Sequence, residues 1–261
     1  MQPQENELKP PPHLSVSSIQ TFNQCQLKFK YGKIDLLPDA PSEASIMGNF
    51  VHDVLEELYK LDADNRTQAS ARFLAKRLWD EKWGEPVSNL LLREEVIKQF
   101  RWNSWWCIEN LWALEVPEKI SPLGLEYEVN TQIEGVTIKG FIDRFSKSDD
   151  SLMLTVSDYK TGKTPREPYV DDKFFQLNVY AKMLSVLGIG EADKAELLYL
   201  KDGKRLSRKI TDAGVASAVE VICETKENID SCCSSGYFEP NKSVLCNWCN
   251  YKSICPAWSK K

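Results

Sequence analysis

The sequence predicts an α/β fold, a mixed sheet flanked by helices, and three observations lead to it. The first half of the chain carries apolar residues at helical spacing. After Pro117 that spacing gives way to three short, partly alternating runs separated by turn residues. Helical spacing then returns at Asp171, followed by a further strand pair and a long last helix. Helices, an antiparallel meander, a helix and more strand pack most simply as one layered domain.

Each element follows from local signals. A polar, proline-rich leader, residues 1–14, is expected to be flexible, with a single domain over 15–261. Ser15 is placed as a helix cap before Ile19, Phe22, Phe29 and Tyr31, which predicts an amphipathic helix over 15–33 carrying Cys25. Beyond Pro38 and Pro41, residues 45–61 read as a helix whose apolar face is Phe50, Val51, Val54, Leu55 and Leu58, with His52 on it. Two tryptophan-rich helices, 68–83 and 89–115, separated by Gly84 and Pro86, complete a helical region over 45–116. Strands are expected over 123–133, 136–146 and 152–159, with turns at Gly135 and at Asp149-Asp150-Ser151. A helix over 171–187 and a hairpin of 195–201 with 205–210 across Asp202-Gly203 close the core, residues 117–210. A helix over 211–233 opens the C-terminal segment, 211–261.

Composition narrows the function. With 261 residues and 42% hydrophobic content the chain can bury a sizeable core. No apolar run approaches the roughly 20 residues that span a bilayer, and the N-terminus lacks the charged-then-apolar order of a signal peptide. A cytoplasmic or nucleoid-associated protein with no membrane partner is the expectation. The net charge of -5 does not announce a nucleic-acid binder. Carboxylates that hold a catalytic metal are themselves negative until the ion arrives, however, so an acidic total is compatible with a local basic groove.

The densest chemistry lies in Gly140-Phe141-Ile142-Asp143-Arg144 and, about fifteen residues on, Val156-Ser157-Asp158-Tyr159-Lys160-Thr161-Gly162. On a strand, residues two apart share a face, so Asp158 and Lys160 project together while Tyr159 points away. Two acids and a lysine on one surface can hold magnesium or manganese and orient an attacking water. Gln176 and Tyr180 lie one helical turn apart on the helix that follows.

Eight cysteines in a chain without an export signal do not suggest disulfides. Cys107, Cys223, Cys232 and Cys233 read as ordinary small apolar residues. Cys246, Cys249 and Cys255 form a C-x2-C-x5-C run, with Cys25 as a plausible fourth thiol. Four thiolates suit zinc or an iron–sulfur cluster, and spacing alone does not separate the two.

These motifs resemble the PD-(D/E)XK nucleases of the RecB-like type. In that family a G-h-h-D strand precedes a D/E-x-K strand, and the D-Y-K-T-G form here is common among RecB-like members. Gln176 and Tyr180 match their Q-x-x-x-Y signature. Gly48 and His52 resemble the G-x-x-x-H helix whose histidine binds metal, and Glu126 carries the weakest match, to an acid often found on the preceding strand. Ser17-Ser18-Ile19-Gln20-Thr21-Phe22-Asn23-Gln24-Cys25 looks like the entry helix of the iron–sulfur subgroup, which includes AddB and the CRISPR adaptation nucleases.

The resemblance runs from Ser15 to Cys255 and is least diagnostic over 65–116. It implies Asp143, Asp158, Lys160, Gln176 and Tyr180 as catalytic residues, and His52, Asp143, Asp158 and Glu126 as metal ligands. It also implies a 4Fe-4S cluster on Cys25, Cys246, Cys249 and Cys255, stapling the N- and C-terminal segments, with zinc as the alternative. The implied activity is exonuclease action on DNA ends or single strands. Non-catalytic DNA binding and prespacer processing with an integrase are the alternatives. The chain lacks a G-x-x-x-x-G-K-[ST] loop, so unwinding would fall to a helicase partner. Trp79, Trp83, Trp102, Trp105, Trp106 and Trp112 are candidate stacking surfaces, and Lys163, Arg166, Lys173, Lys204, Arg205 and Arg208 candidate phosphate contacts.

Overall fold

The computed structural model describes residues 8–148 and 152–258. The expected turn at Asp149-Asp150-Ser151 and the first seven residues of the leader lie outside them. The described residues group into two compact units. The larger comprises Pro41–Glu128 and Phe141–Gly214; the smaller draws on three stretches, up to Ala40, Val129–Gly140, and from Val215 onward.

In the larger unit, helix α3 (Glu43–Lys60) starts at a capping box between Ser42 and Ser45, with Glu43 in its first turn and Lys60 in its last. Its expected apolar face is buried, extended by Ile46 and Tyr59. Against it pack α4 (Gln68–Leu78) and α6 (Glu94–Glu109), whose Ala71, Leu74, Phe100, Cys107 and Ile108 join a core that also takes in Tyr159, Leu198 and Leu200. Gly84 and Pro86 do not separate two helices, as expected from sequence; they begin a short one, α5 (Gly84–Leu91). Proline is tolerated there because the first-turn N–H groups lack helical partners anyway. The helix expected over 89–115 is three, α5, α6 and α7 (Leu111–Leu114); α5 and α6 part at Leu92, which adopts a left-handed φ of 57°, and α6 and α7 at Asn110. A leucine gives no sequence signal for that conformation.

The sheet has the order β1-β2-β3-β4-β5, formed by β1 (Pro122–Ile133), β2 (Val136–Lys147), β3 (Leu154–Lys160), β4 (Ala192–Tyr199) and β5 (Lys204–Lys209). β3 pairs antiparallel with β2 and parallel with β4, the parallel step being bridged by α8 (Asp171–Val186); β5 returns antiparallel. β3 is buried along nearly its whole length, as befits a strand covered on both faces. β5 is mostly exposed and carries Lys204, Arg205, Arg208 and Lys209, charges that discourage further strand pairing at an edge. Gly124 on β1 lies beneath the Phe145 ring, which a Cβ would meet at 2.1 Å, so the aromatic side chain fills the place a larger residue would take.

In the smaller unit, Glu134 and Gly135 both take positive φ, 47° and 78°, as a two-residue hairpin turn requires. Leu14 pairs in parallel with Ile138. Helix α1 (Val16–Gln24) has Ser15 as its cap, and Asn23 donates to Thr225 of α9 (Asp212–Ser235) over 3.2 Å. The helix expected over 15–33 is interrupted at Cys25, which is extended at φ -165° and ψ 107°, before α2 (Gln26–Phe29) and a π-helical turn, Lys30–Ile34. The segment 239–241 replaces the lost helical bonds: Asn241 donates to the Gln24 carbonyl over 2.9 Å, and Leu27 donates to the Glu239 carbonyl over 3.2 Å.

Candidate metal-dependent active site

Three elements of the larger unit deliver acids and a histidine to one place. His52 comes from α3, Glu126 from β1 and Asp143 from β2, and one ligand atom from each lies within 4.8 Å of the other two. His52 Nδ1 is 3.2 Å from Glu126 Oε1 and 3.5 Å from Asp143 Oδ2, while Nε2 is 3.0 Å from the Tyr159 carbonyl. Asp143 also accepts the Tyr159 amide N–H over 2.8 Å. Both backbone groups of Tyr159 therefore serve to place candidate ligands. Glu126 sits in its strand at a φ of 39°. A left-handed glutamate in mid-strand is strained, and such strain concentrates at functional sites.

Asp158 and Lys160 project together as expected, with Oδ2 and Nζ 2.5 Å apart. Lys160 donates to Gln176 Oε1 over 3.4 Å, and Gln176 donates to the Tyr180 hydroxyl over 3.1 Å, so the two α8 residues extend the lysine's contacts. The contacts fall into two groups: His52, Glu126 and Asp143 converge, and Asp158, Lys160, Gln176 and Tyr180 form a chain of contacts in which Asp158 faces Lys160 and is not among the three convergent donors.

The electrostatics are those of crowded negative charge. Burial pushes the Asp143 carboxyl up to about 7; the Asp158 charge adds to that rise, and His52 and the Tyr159 amide oppose it. Burial works against a charged His52, but Asp143, the hydrogen bond with Glu126 and the Asp158 charge outweigh it and raise the imidazole to about 9. Burial likewise opposes charge on Lys160, and Asp158 overcomes it, so the ammonium is held protonated. Oxygen and imidazole donors with surplus negative charge suit a hard or borderline divalent cation.

Tyr159 points away from this surface, as strand alternation predicts, into a buried cluster that sequence reasoning missed. Arg144 is 1% exposed and donates to Glu115 over 2.6 and 2.8 Å and to the Tyr159 hydroxyl over 2.8 Å. Its guanidinium lies 4.8 Å over the Tyr59 ring, and Tyr59 donates to Glu115. Arg144, next to Asp143 on a strand, must face the opposite side, and a charge on that buried side was the available signal. Arg205, a candidate phosphate contact in the sequence, instead pairs with Glu196 at 3.4 Å and Glu115 at 3.7 Å. Of the six tryptophans that were candidate stacking surfaces, Trp102 and Trp106 are exposed, whereas Trp79, Trp83, Trp105 and Trp112 pack against the core.

In the smaller unit, Cys25, Cys246, Cys249 and Cys255 line one cavity, bordered by Tyr31, Tyr251 and Trp258. The Asn241 amide donates to Cys25 Sγ and the Ser243 amide to Cys246 Sγ, each over 3.4 Å, and the latter bond holds the Cys246 thiol below its usual range. Amide donors aimed at sulfur favour thiolate, the form that binds metal. Cys107, Cys232 and Cys233 are buried and Cys223 half-buried, and none of them lines this cavity.

Residues 13–256 match the family model of the PD-(D/E)XK nuclease superfamily. The chain belongs to the PD-(D/E)XK nuclease superfamily. Members of this superfamily are metal-dependent nucleases, and the His52, Glu126 and Asp143 group is suited to a divalent ion. The Gene 69 protein of Mycobacterium phage L5 is 24% identical, with 95% of this chain and 97% of the relative covered. The Gene 69 protein of Mycobacterium phage D29 is similar at the same identity and coverage. A crystal structure from Eubacterium rectale named "Putative exonuclease" shares the fold at a TM-score of 0.52 and 12% identity, covering 96% of this chain and 90% of that one. Among the described residues no helix is long and apolar enough to cross a membrane.

Proposed function

We propose that this nuclease is a deoxyribonuclease that trims DNA from ends or along single strands, using magnesium or manganese. The observation that carries the reading is the convergence of His52, Glu126 and Asp143 beside the Asp158–Lys160 pair. A divalent cation, when bound, supplies Lewis-acid stabilisation of a phosphodiester and a nucleophile at neutral pH. The side chains do the rest. Asp143, fixed by the Tyr159 amide, and His52, fixed by the Tyr159 carbonyl, keep the donor set in place. Lys160, its charge favoured by Asp158 beside it, is placed to orient or activate a water or a phosphate oxygen. Gln176 and Tyr180 set the lysine's direction. The name of the Eubacterium rectale protein favours action at ends.

The four cysteines are assigned a 4Fe-4S cluster. Support comes from their common cavity and the amide N–H groups directed at Cys25 and Cys246, a lining that suits thiolate ligands.

Protein purified without oxygen and supplied with magnesium or manganese should degrade end-labelled linear DNA and spare closed circles. Equal cutting of circles would make it an endonuclease. No cleavage of linear, single-stranded or circular DNA with either metal would overturn the reading.

A further inference from the structure

The tryptophan-rich helices, the least diagnostic part of the sequence, border a groove of about 1060 Å³ within the larger unit. Its walls are α4 with Trp79 in the turn just beyond it, and α6, and Phe50 of α3 also lines it. Two cation–π contacts cross between the walls: Arg72 lies 4.9 Å over the Trp105 ring, and Arg101 lies 4.9 Å over the Trp79 ring. Lys76 and Lys98 add one more cation to each wall. Among the described residues none of these four cations has a carboxylate at ion-pair distance, and the groove's only acids are Glu94 and Glu95. A chain of net charge -5 thus concentrates positive charge on aromatic surface here. Trp102, which also lines the groove, is 63% exposed.

We propose that this groove holds a single-stranded segment of DNA away from the metal site, its unpaired bases against tryptophan and its phosphates on the four cations. That combination is the one that non-sequence-specific single-strand binders use. The strand's identity as DNA rests on the deoxyribonuclease reading. Duplex is disfavoured because paired bases present no free face to a ring. The volume is at the upper end of the roughly 300–1,000 Å³ of small-ligand pockets, room for a few nucleotides. Phe50 and His52 are two residues apart on α3, hence about 200° around its axis, so the groove and the metal site face opposite sides of that helix. A strand in the groove is therefore held, not cut, and short oligonucleotides filling the metal site need not reach it.

The test is a binding titration of the full chain in metal-free buffer. The probes are an oligothymidylate of about thirty nucleotides, an abasic strand of equal length and the corresponding duplex, spanning several site sizes. Trp102→Ala should weaken the long oligothymidylate roughly 5- to 10-fold and leave the abasic strand unchanged. Lys98→Glu, a second exposed-wall variant, should weaken both strands and lower the salt slope by about 0.7 or more. With metal, both variants should raise KM on the long strand and keep kcat on a substrate of about five nucleotides. Unchanged affinity in both variants, an equal Trp102→Ala loss on abasic DNA, or duplex bound as well as single strand would overturn the groove. If the variants bind normally while the wild type cleaves DNA, the groove falls and the deoxyribonuclease reading stands. If the variants lose binding while the wild type cleaves nothing, the reverse holds.

Discussion

The carboxylate site and the cysteine-lined cavity differ in how much of their order the chain supplies itself. Around His52, Glu126 and Asp143 the placement is built from strands, a helix and the Tyr159 backbone, with Arg144 and Glu115 buried behind. The donors stand close together, at the cost of crowded negative charge. Around Cys25, Cys246, Cys249 and Cys255 the carriers are an interrupted helix and short 3-10 turns. An ion at the first site relieves repulsion and does chemistry; a group at the second would supply the cross-linking that the turns lack. Pre-built geometry belongs where reacting atoms must be aligned, and ligand-built geometry where a segment must be held.

The largest expected effects are one in each region. Asp143→Asn, Asp158→Asn or Lys160→Ala should lower cleavage by on the order of 10³-fold or more. Circular dichroism and iron content should stay as in the wild type; iron lost with Asp143 would mean the regions are not separable. Cys246→Ser should yield colourless protein with no absorption near roughly 400 nm, whereas Cys107→Ser keeps the full iron content. Colourless wild-type protein holding about one zinc per chain would replace the cluster and keep the staple.

Next in size, Glu115→Ala leaves Arg144 as a buried unpaired cation and should cost about 3–5 kcal/mol, read from denaturant midpoints. A loss below ~1 kcal/mol would show that the carboxylate site does not lean on that pair. His52→Gln should weaken manganese binding roughly 10- to 100-fold by titration calorimetry, and an unaltered titration would reduce His52 to a packing residue. Smallest of all, Tyr180→Phe should lower kcat a few-fold, about the worth of one neutral hydrogen bond.

Much of this was legible in the sequence because the relevant patterns are local. Strand alternation is enough to put Asp158 and Lys160 on one face and Tyr159 on the other, and one helical turn is enough to pair Gln176 with Tyr180. The apolar face of α3 follows from its spacing in the same way. What escaped depends on partners distant in the chain. The break at Cys25 exists because Glu239 and Asn241 take over its helical bonds, and no residue near Cys25 announces that. Leu92 turns the chain without glycine or asparagine to mark it. Glu115 reads as the end of a helix until Arg144 comes to meet it.

The smaller unit has a consequence for how the protein is made. Its three stretches are separated by most of the sequence, and Cys25 precedes Cys246 by roughly 220 residues. At synthesis rates of about 5–20 residues per second, the first thiol waits on the order of ten seconds or more for its partners to leave the ribosome. Closing so long a loop costs only slightly more entropy than closing a shorter one, since the penalty grows with the logarithm of length. During that interval the thiol of Cys25 is unshielded, open to oxidation or to a stray soft metal ion. If the four thiols hold the proposed cluster, shortages of oxygen protection or of iron would therefore strike the nascent chain before they strike the finished one.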